Sequence, residues 1–220
     1  MKLPRFHCLL LPCLCFTLNM SAQTTLTYYT QTFKIDTLYP ASGSTGMNSP
    51  WEVVYGPDDS LWVTASHDYK IYKIHPGNKG SRMVLDMNSY KDFTASVAAW
   101  PQGGLMGLAI HPDFYTGKPW VYIAYVYHLI SCGVSSGGNY CSFNTKISRF
   151  KWNSTNGALT YMDDVITGLD GSNDHNSGRL RISPLTESDG NYHLYYTIGD
   201  MGAGRAGTAQ PCGPHAPRSN

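Results

Sequence analysis

The chain has 220 residues, of which 14% are charged, and it contains 22 glycines, 13 prolines and 16 tyrosines. That balance favours strands and turns over long surface helices, which need more Glu, Lys and Ala. The formal net charge is +1, and there is no basic run, which argues against a nucleic-acid-binding protein.

Residues 1–22 are predicted to be a signal peptide. Lys2 and Arg5 precede an apolar stretch at residues 8–18, and cleavage is expected after Ala22. The apolar stretch is too short to cross a bilayer, and no later run approaches the roughly 18 residues that a span requires. We therefore expect an exported protein, periplasmic or secreted, without a stable membrane anchor.

A turn rich in Pro, Asp and Gly occurs three times, each time before a short aromatic and β-branched run. The turns lie at residues 56–60, 111–119 and 183–190, and the runs at residues 61–64, 120–125 and 192–198. This pattern is typical of β-hairpins. Further strands are predicted at residues 51–55, 70–74, 105–110, 146–152 and 180–182.

These elements predict an all-β fold, since no segment after residue 22 has a helical apolar period. Four short strands per unit is the pattern of a β-propeller blade, and we expect three to four of six blades. A β-sandwich is the alternative, because short strands and turns fit it too. We expect the propeller domain at residues 48–202, after a lead-in at residues 23–47. Residues 203–220 lack an apolar pattern, which predicts a disordered or out-of-frame tail.

Three of the six cysteines lie beyond the predicted signal peptide. Cys132 and Cys141 stand in a stretch at residues 129–143 that is predicted to be an irregular loop, and they are a candidate disulfide in an oxidising compartment. Cys212 is left without a partner.

Asp174 and His175 are the first candidates for chemistry. An imidazole can accept a proton near neutral pH, and a nearby carboxylate can hold one tautomer and stabilise the imidazolium. Asp200 follows a predicted strand, from which it could reach His175. The segment 174–180 alone favours a plainer interpretation, a polar turn whose side chains bond their own backbone.

Three segments together resemble the soluble, periplasmic glucose and aldose sugar dehydrogenases that use pyrroloquinoline quinone. They are Asp174–Leu180, Tyr195–Asp200 and Gln102–Gly107, the last followed by a His-Pro-Asp-Phe turn at residues 111–114. The resemblance runs from about Pro50 to Asp200, with the segments in the family's order. It is specific only when the segments are taken jointly.

The resemblance implies that His175 is the general base that removes a proton from the anomeric hydroxyl of an aldose, while hydride passes from C1 to the quinone. Asp200 would orient His175, and Gln102 and Asp174 would bind sugar or cofactor. A calcium ion would polarise the quinone, and an external electron acceptor would complete the reaction.

The chain also departs from the family pattern. Arg205 stands where the family often has a Gln that contacts substrate. The resemblance places the calcium ligands and the cofactor-binding Arg and Lys residues in a second half of the domain, and no residue here corresponds to them. We expect the chain to be a truncated N-terminal portion of such an enzyme, without metal ligands of its own. The sequence leaves open whether this portion is active. The alternative is a non-catalytic, secreted β-propeller binding module.

Overall fold

The computed structural model describes residues 24–39, 46–94, 103–135, 138–172 and 175–201. The predicted signal peptide and the predicted tail at residues 203–220 lie outside the described residues. So do two candidate site residues, Gln102 and Asp174.

The predicted lead-in contains a β-hairpin, which forms a separate unit and is described by itself. Strands β1 (Thr24–Tyr28) and β2 (Gln31–Ile35) pair antiparallel, and Tyr28 lies opposite Gln31. The turn between them places Tyr29 in the left-handed region, with a φ of 52°.

The first four-stranded sheet is an antiparallel meander. Its strands are β3 (Pro50–Tyr55), β4 (Leu61–Ala65), β5 (Lys70–Ile74) and β6 (Ser81–Asp86), and they neighbour one another in chain order. A short 3-10 helix at Asn88–Tyr90 follows.

The second sheet repeats this meander with longer strands. It consists of β7 (Leu105–Ile110), β8 (Trp120–Ser135), β9 (Gly138–Asn153) and β10 (Ala158–Ser172). The predicted irregular loop at residues 129–143 is wrong, because nearly all of these residues extend β8 and β9. The pairing between the two strands continues out to Ser135 opposite Gly138, so the extra length is hydrogen-bonded ladder and not loop.

A third sheet begins with β11 (Ser177–Thr186) and β12 (Tyr192–Ile198), which pair antiparallel. The first strands of the three sheets, β3, β7 and β11, pack beside one another in that order. The prediction of an all-β fold with four-stranded propeller blades is confirmed. The described residues after the hairpin form two four-stranded blades and a third, two-stranded sheet.

The three predicted turns occupy equivalent positions in these sheets. Each connects the first strand of a sheet to the second: β3 to β4, β7 to β8 and β11 to β12. The repeat seen in the sequence is therefore the repeat of the blade. Two strands that the sequence analysis did not predict, β6 and β10, complete their sheets at the outer edge.

The core lies between the sheets. The largest cluster joins the first and second sheets and includes fully buried Trp62, Tyr69 and Phe150. A smaller one joins the second and third sheets through Ala124 and Leu180. Each large apolar side chain buried in this way stabilises the fold by roughly 1.5–3 kcal/mol. Across the described ranges, no helix has the length and apolar character needed to span a membrane.

Candidate active site

The structure brings His175 and Asp200 into contact. His175 lies two residues before β11 and Asp200 two residues after β12, so antiparallel pairing of the two strands places both residues at the same end of the pair. His175 Nδ1 lies 2.8 Å from Asp200 Oδ1. The imidazole is 27% exposed and the carboxylate 58% exposed. The catalytic roles of the two residues remain predictions.

Two backbone hydrogen bonds hold Asp200 beside His175. The Gly199 N–H donates to the Asn176 carbonyl at 3.0 Å, and the Met201 N–H donates to the His175 carbonyl at 3.3 Å. These bonds flank Asp200 and extend the pairing of β11 and β12 past the ends of both strands. Only glycine fits at position 199, because an added Cβ would lie 1.8 Å from the His175 carbonyl oxygen.

The turn that carries His175 uses left-handed backbone conformations. His175 has a φ of 49° and Ser177 a φ of 62°, and both conformations are uncommon for residues other than glycine. Such a conformation persists only where surrounding contacts hold it in place. The backbone bonds to Gly199 and Met201 are contacts of this kind.

A shift in the pairing of β11 with β12 explains the hydroxyl side chains of Ser177 and Thr197. The register changes between Ser177 and Leu180. There the Thr197 hydroxyl accepts the Arg179 N–H at 3.1 Å and lies 2.9 Å from the Ser177 hydroxyl. Side-chain oxygens thus replace ladder partners where the backbone groups are displaced.

The geometry of the pair determines what it can do. An ionised carboxylate only accepts hydrogen bonds, so an ionised Asp200 would hold the proton of His175 on Nδ1. Nε2 would then carry the lone pair, and that nitrogen could take a proton from a substrate. Asp200 would stabilise the imidazolium that results.

The glycine-rich segment at residues 103–107 is explained by close packing. Gly104 has a φ of 95°, and an added Cβ there would lie 2.4 Å from the Ser66 carbonyl oxygen. An added Cβ at Gly107 would lie 2.0 Å from the Gly178 carbonyl oxygen. The segment therefore contacts the backbone of the sheets on both sides. The fit of β11, which follows the His175 turn, depends on Gly107.

An ion pair that the sequence analysis missed joins the first and third sheets. Arg179 Nη2 on β11 lies 3.5 Å from Glu52 Oε1 on β3, where the glutamate is only 4% exposed. The Glu52 N–H donates to the Thr64 hydroxyl, which donates in turn to the Met106 carbonyl. Arg179 belongs to the recognised motif, but nothing local in the sequence identifies Glu52 as its partner.

The backbone places the two candidate cysteines opposite each other. Cys132 pairs with Cys141 in the ladder of β8 and β9. Directly opposite residues in antiparallel strands have Cα atoms about 4.5 or 5.5 Å apart, and both values fall within the roughly 4.4–6.8 Å range of disulfides. The backbone thus permits the bond, which we propose on that basis.

The described ranges contain no group of three or more His, Cys, Asp or Glu side chains that could bind a metal ion. A cavity of about 440 Å³ lies toward the carboxyl ends of β3 and β7, lined in part by Tyr55, His111 and Arg181. Neither His175 nor Asp200 lines it, so it is separate from the candidate site.

Comparisons with known proteins give matches in sequence and in structure. Residues 47–216 match the sequence model of the Glucose / Sorbosone dehydrogenase family. Over 156 residues the chain is 31% identical to quinoprotein glucose dehydrogenase B of Acinetobacter calcoaceticus. That match covers 71% of this chain and 29% of the relative.

Solved structures resemble the described fold. The PQQ-bound form of aldose sugar dehydrogenase from Streptomyces coelicolor has a TM-score of 0.53 and 21% identity, over 74% of this chain and 42% of that one. The soluble aldose sugar dehydrogenase from Escherichia coli, in its apo-form, has a TM-score of 0.48 and 19% identity, over 71% and 39% of the two chains. The first match supports the fold. The second adds no support, because its TM-score is below 0.5. The chain spans less than half the length of each of these relatives.

Proposed function

This chain belongs to the glucose/sorbosone dehydrogenase family, and we propose that it carries the proton-accepting part of a pyrroloquinoline quinone-dependent dehydrogenase. The substrate would be an aldose, oxidised at C1 to the lactone. The observation that carries the proposal is the 2.8 Å contact between His175 Nδ1 and Asp200 Oδ1. Export to the periplasm or beyond the cell, through residues 1–22, is part of the proposal.

In this proposal His175 Nε2 takes the proton of the C1 hydroxyl. Asp200 keeps the opposite ring nitrogen protonated and stabilises the positive charge that the ring gains. The chemistry expected of pyrroloquinoline quinone, polarised by calcium, is acceptance of the hydride from C1, with an external acceptor taking the electrons afterwards. Removal of one proton and one hydride balances the oxidation.

Cofactor contacts can be assigned to the described residues only in part. The cofactor is a tricarboxylate and needs cationic partners. Arg179 is the cation closest in sequence to His175 among the described residues; it is 56% exposed and already paired with Glu52. We therefore assign no cofactor contact to it. Gln102 and Asp174 are proposed to bind sugar or cofactor because they belong to the recognised segments.

A dye-linked assay on the full 220-residue chain tests the proposal. The protein is supplied with pyrroloquinoline quinone, calcium, an aldose and an artificial electron acceptor. If turnover is observed, His175→Ala should lower it about 100-fold or more. His193→Ala is the matched control, because His193 is an exposed histidine on β12 that pairs with Glu187, and it should leave turnover unchanged.

Equal turnover in His175→Ala and the unsubstituted chain would contradict the base role. Absence of turnover in the chain itself would favour the alternative, a secreted binding module without catalysis. That alternative is retained because the matches cover only 29% and 42% of the lengths of the two relatives.

A further inference from the structure

We propose that Asn176 is a positioning residue, whose buried side chain holds His175 in the orientation that lets it bond to Asp200. The inference rests on the proposed function because it concerns the same site. It concerns the geometry of the pair, however, and can be tested whether or not the chain turns over sugar.

The Asn176 side chain is fully buried and pairs with the backbone of Ser172. Its Oδ1 accepts the Ser172 N–H at 2.8 Å, and its Nδ2 donates to the Ser172 carbonyl. A carboxamide has one acceptor and two donors, so this side chain engages both polar groups of one backbone residue. It thereby ties Asn176 to the backbone of Ser172.

The Asn176 backbone is tied to a different strand. Its carbonyl accepts the Gly199 N–H at 3.0 Å. Ser172 is the last residue of β10, and Gly199 immediately follows β12. A single residue therefore connects the end of the second sheet to the end of β12, next to Asp200.

His175 lies between these attachments. Its φ of 49° is unfavourable for a residue with a side chain and must be held by contacts on either side. On its carboxyl side, the Asn176 side chain and carbonyl supply three hydrogen bonds. If those to Ser172 are removed, the turn can relax toward ordinary backbone angles. The imidazole would then rotate away from Asp200, while β11 and β12 could remain paired.

A purely structural role would predict a different result. Loss of a buried hydrogen-bonded side chain destabilises any protein, so a lower free energy of unfolding does not by itself identify positioning. The readout must report the coupling between His175 and Asp200. The readout is the fraction of neutral His175 that carries its proton on Nδ1, measured by nitrogen NMR, and the difference in that fraction between the chain with Asp200 and Asp200→Ala.

The experiment measures this difference in three backgrounds of the full chain: unsubstituted, Asn176→Ala and Asn176→Ser. Asp174 is present in every variant, so the effect of its charge largely cancels in the difference. Asn153→Ala is the control, because Asn153 is exposed and its side chain also accepts a backbone N–H, from Thr155 at 2.9 Å. The serine variant retains one short polar group and serves if the alanine variant does not fold.

We expect the difference in the Nδ1-protonated fraction to fall to less than half its original size in Asn176→Ala, to fall less in Asn176→Ser, and to stay unchanged in Asn153→Ala. An unchanged difference in either folded Asn176 variant would overturn the inference, even if stability dropped. Absence of turnover in the chain would favour the binding-module alternative to the proposed function and would leave this result intact.

Discussion

Replacing Gly199 with alanine tests whether backbone packing sets the distance between His175 and Asp200. An added Cβ would lie 1.8 Å from the His175 carbonyl oxygen, and contacts under 3.0 Å essentially do not occur. The Cβ atom must therefore move away by about 1.2 Å. The Gly199 hydrogen bond to Asn176, now 3.0 Å long, cannot survive a displacement of that size in the same direction.

The expected loss of stability follows from these contacts. One backbone hydrogen bond contributes about 1 kcal/mol, and strain from overpacking adds about 1–3 kcal/mol. The partly exposed His175–Asp200 pair adds at most about 1 kcal/mol. We expect the free energy of unfolding to fall by about 2–5 kcal/mol in total. Asp200 is adjacent in sequence, so its contact with His175 should lengthen as well.

Urea unfolding followed by tryptophan fluorescence measures the change in stability, and nitrogen NMR of His175 measures the loss of its bond to Asp200. Gly77→Ala is the matched control, because the nearest atom to its added Cβ would be the tip of the His75 side chain at 3.1 Å. This control should change the free energy of unfolding by no more than about 1 kcal/mol in either direction. If Gly199→Ala costs no more than Gly77→Ala, the packing argument is refuted.

Three further predictions concern other parts of the chain. The exported protein should contain a bond between Cys132 and Cys141, and its removal by Cys132→Ser should cost about 2–3 kcal/mol; a thiol assay that finds both cysteines reduced would contradict this. Burial alone would raise the pKa of Asp164, but hydrogen bonds led by that from Ser148 lower it below its usual value. Its stabilisation is thus present above the unfolded-state pKa and is lost as the pH falls through the lower folded-state value. In Asp164→Asn, the free energy of unfolding should lack this loss at low pH. An unchanged dependence of unfolding on acid pH would show that Asp164 does not supply the stabilisation. The hydroxyl of Tyr196 is buried without a hydrogen-bond partner among the described residues, and burial raises its pKa to about 12. Tyr196→Phe should therefore leave thermal stability equal or higher, whereas a loss above about 1 kcal/mol would reveal a bond to that hydroxyl.

The strands that the sequence predicted correctly share a local cause. Strands β5 and β7 and the run that became β12 have turn residues at their ends and apolar or β-branched side chains between them. Glycine, proline and aspartate interrupt a strand for reasons that act within a few residues. The boundaries of such strands can therefore be read without knowing which strand lies beside them.

Strand β10 shows why other elements were missed. Its sequence, ALTYMDDVITGLDGS, lacks a regular alternation of apolar and polar residues. Its pairing with β9 contains three register shifts, so the side chains change faces along the strand. The neighbouring strand holds this segment extended through backbone hydrogen bonds. The same reason accounts for the long β8–β9 extension, which was predicted to be a loop.

For the candidate site too, the sequence identified the residues but not their contact. The motif at residues 174–180 and the acid at the end of the run 192–198 could be recognised from sequence, because residue identity and order carry that information. The contact between His175 and Asp200, 25 residues apart, depends on the pairing of β11 with β12.

What the sequence alone determined about this protein is the all-β blade pattern, the positions of the three repeated turns and the chemical character of the candidate base and acid. Only the tertiary structure decided that Asn176 ties β10 to β12, that Glu52 meets Arg179 across β7, and that Gly199 admits no side chain. The physical reason is that turn and strand preferences act between neighbours in the chain. These contacts depend on segments that become neighbours only when strands pair within a sheet or when sheets pack together.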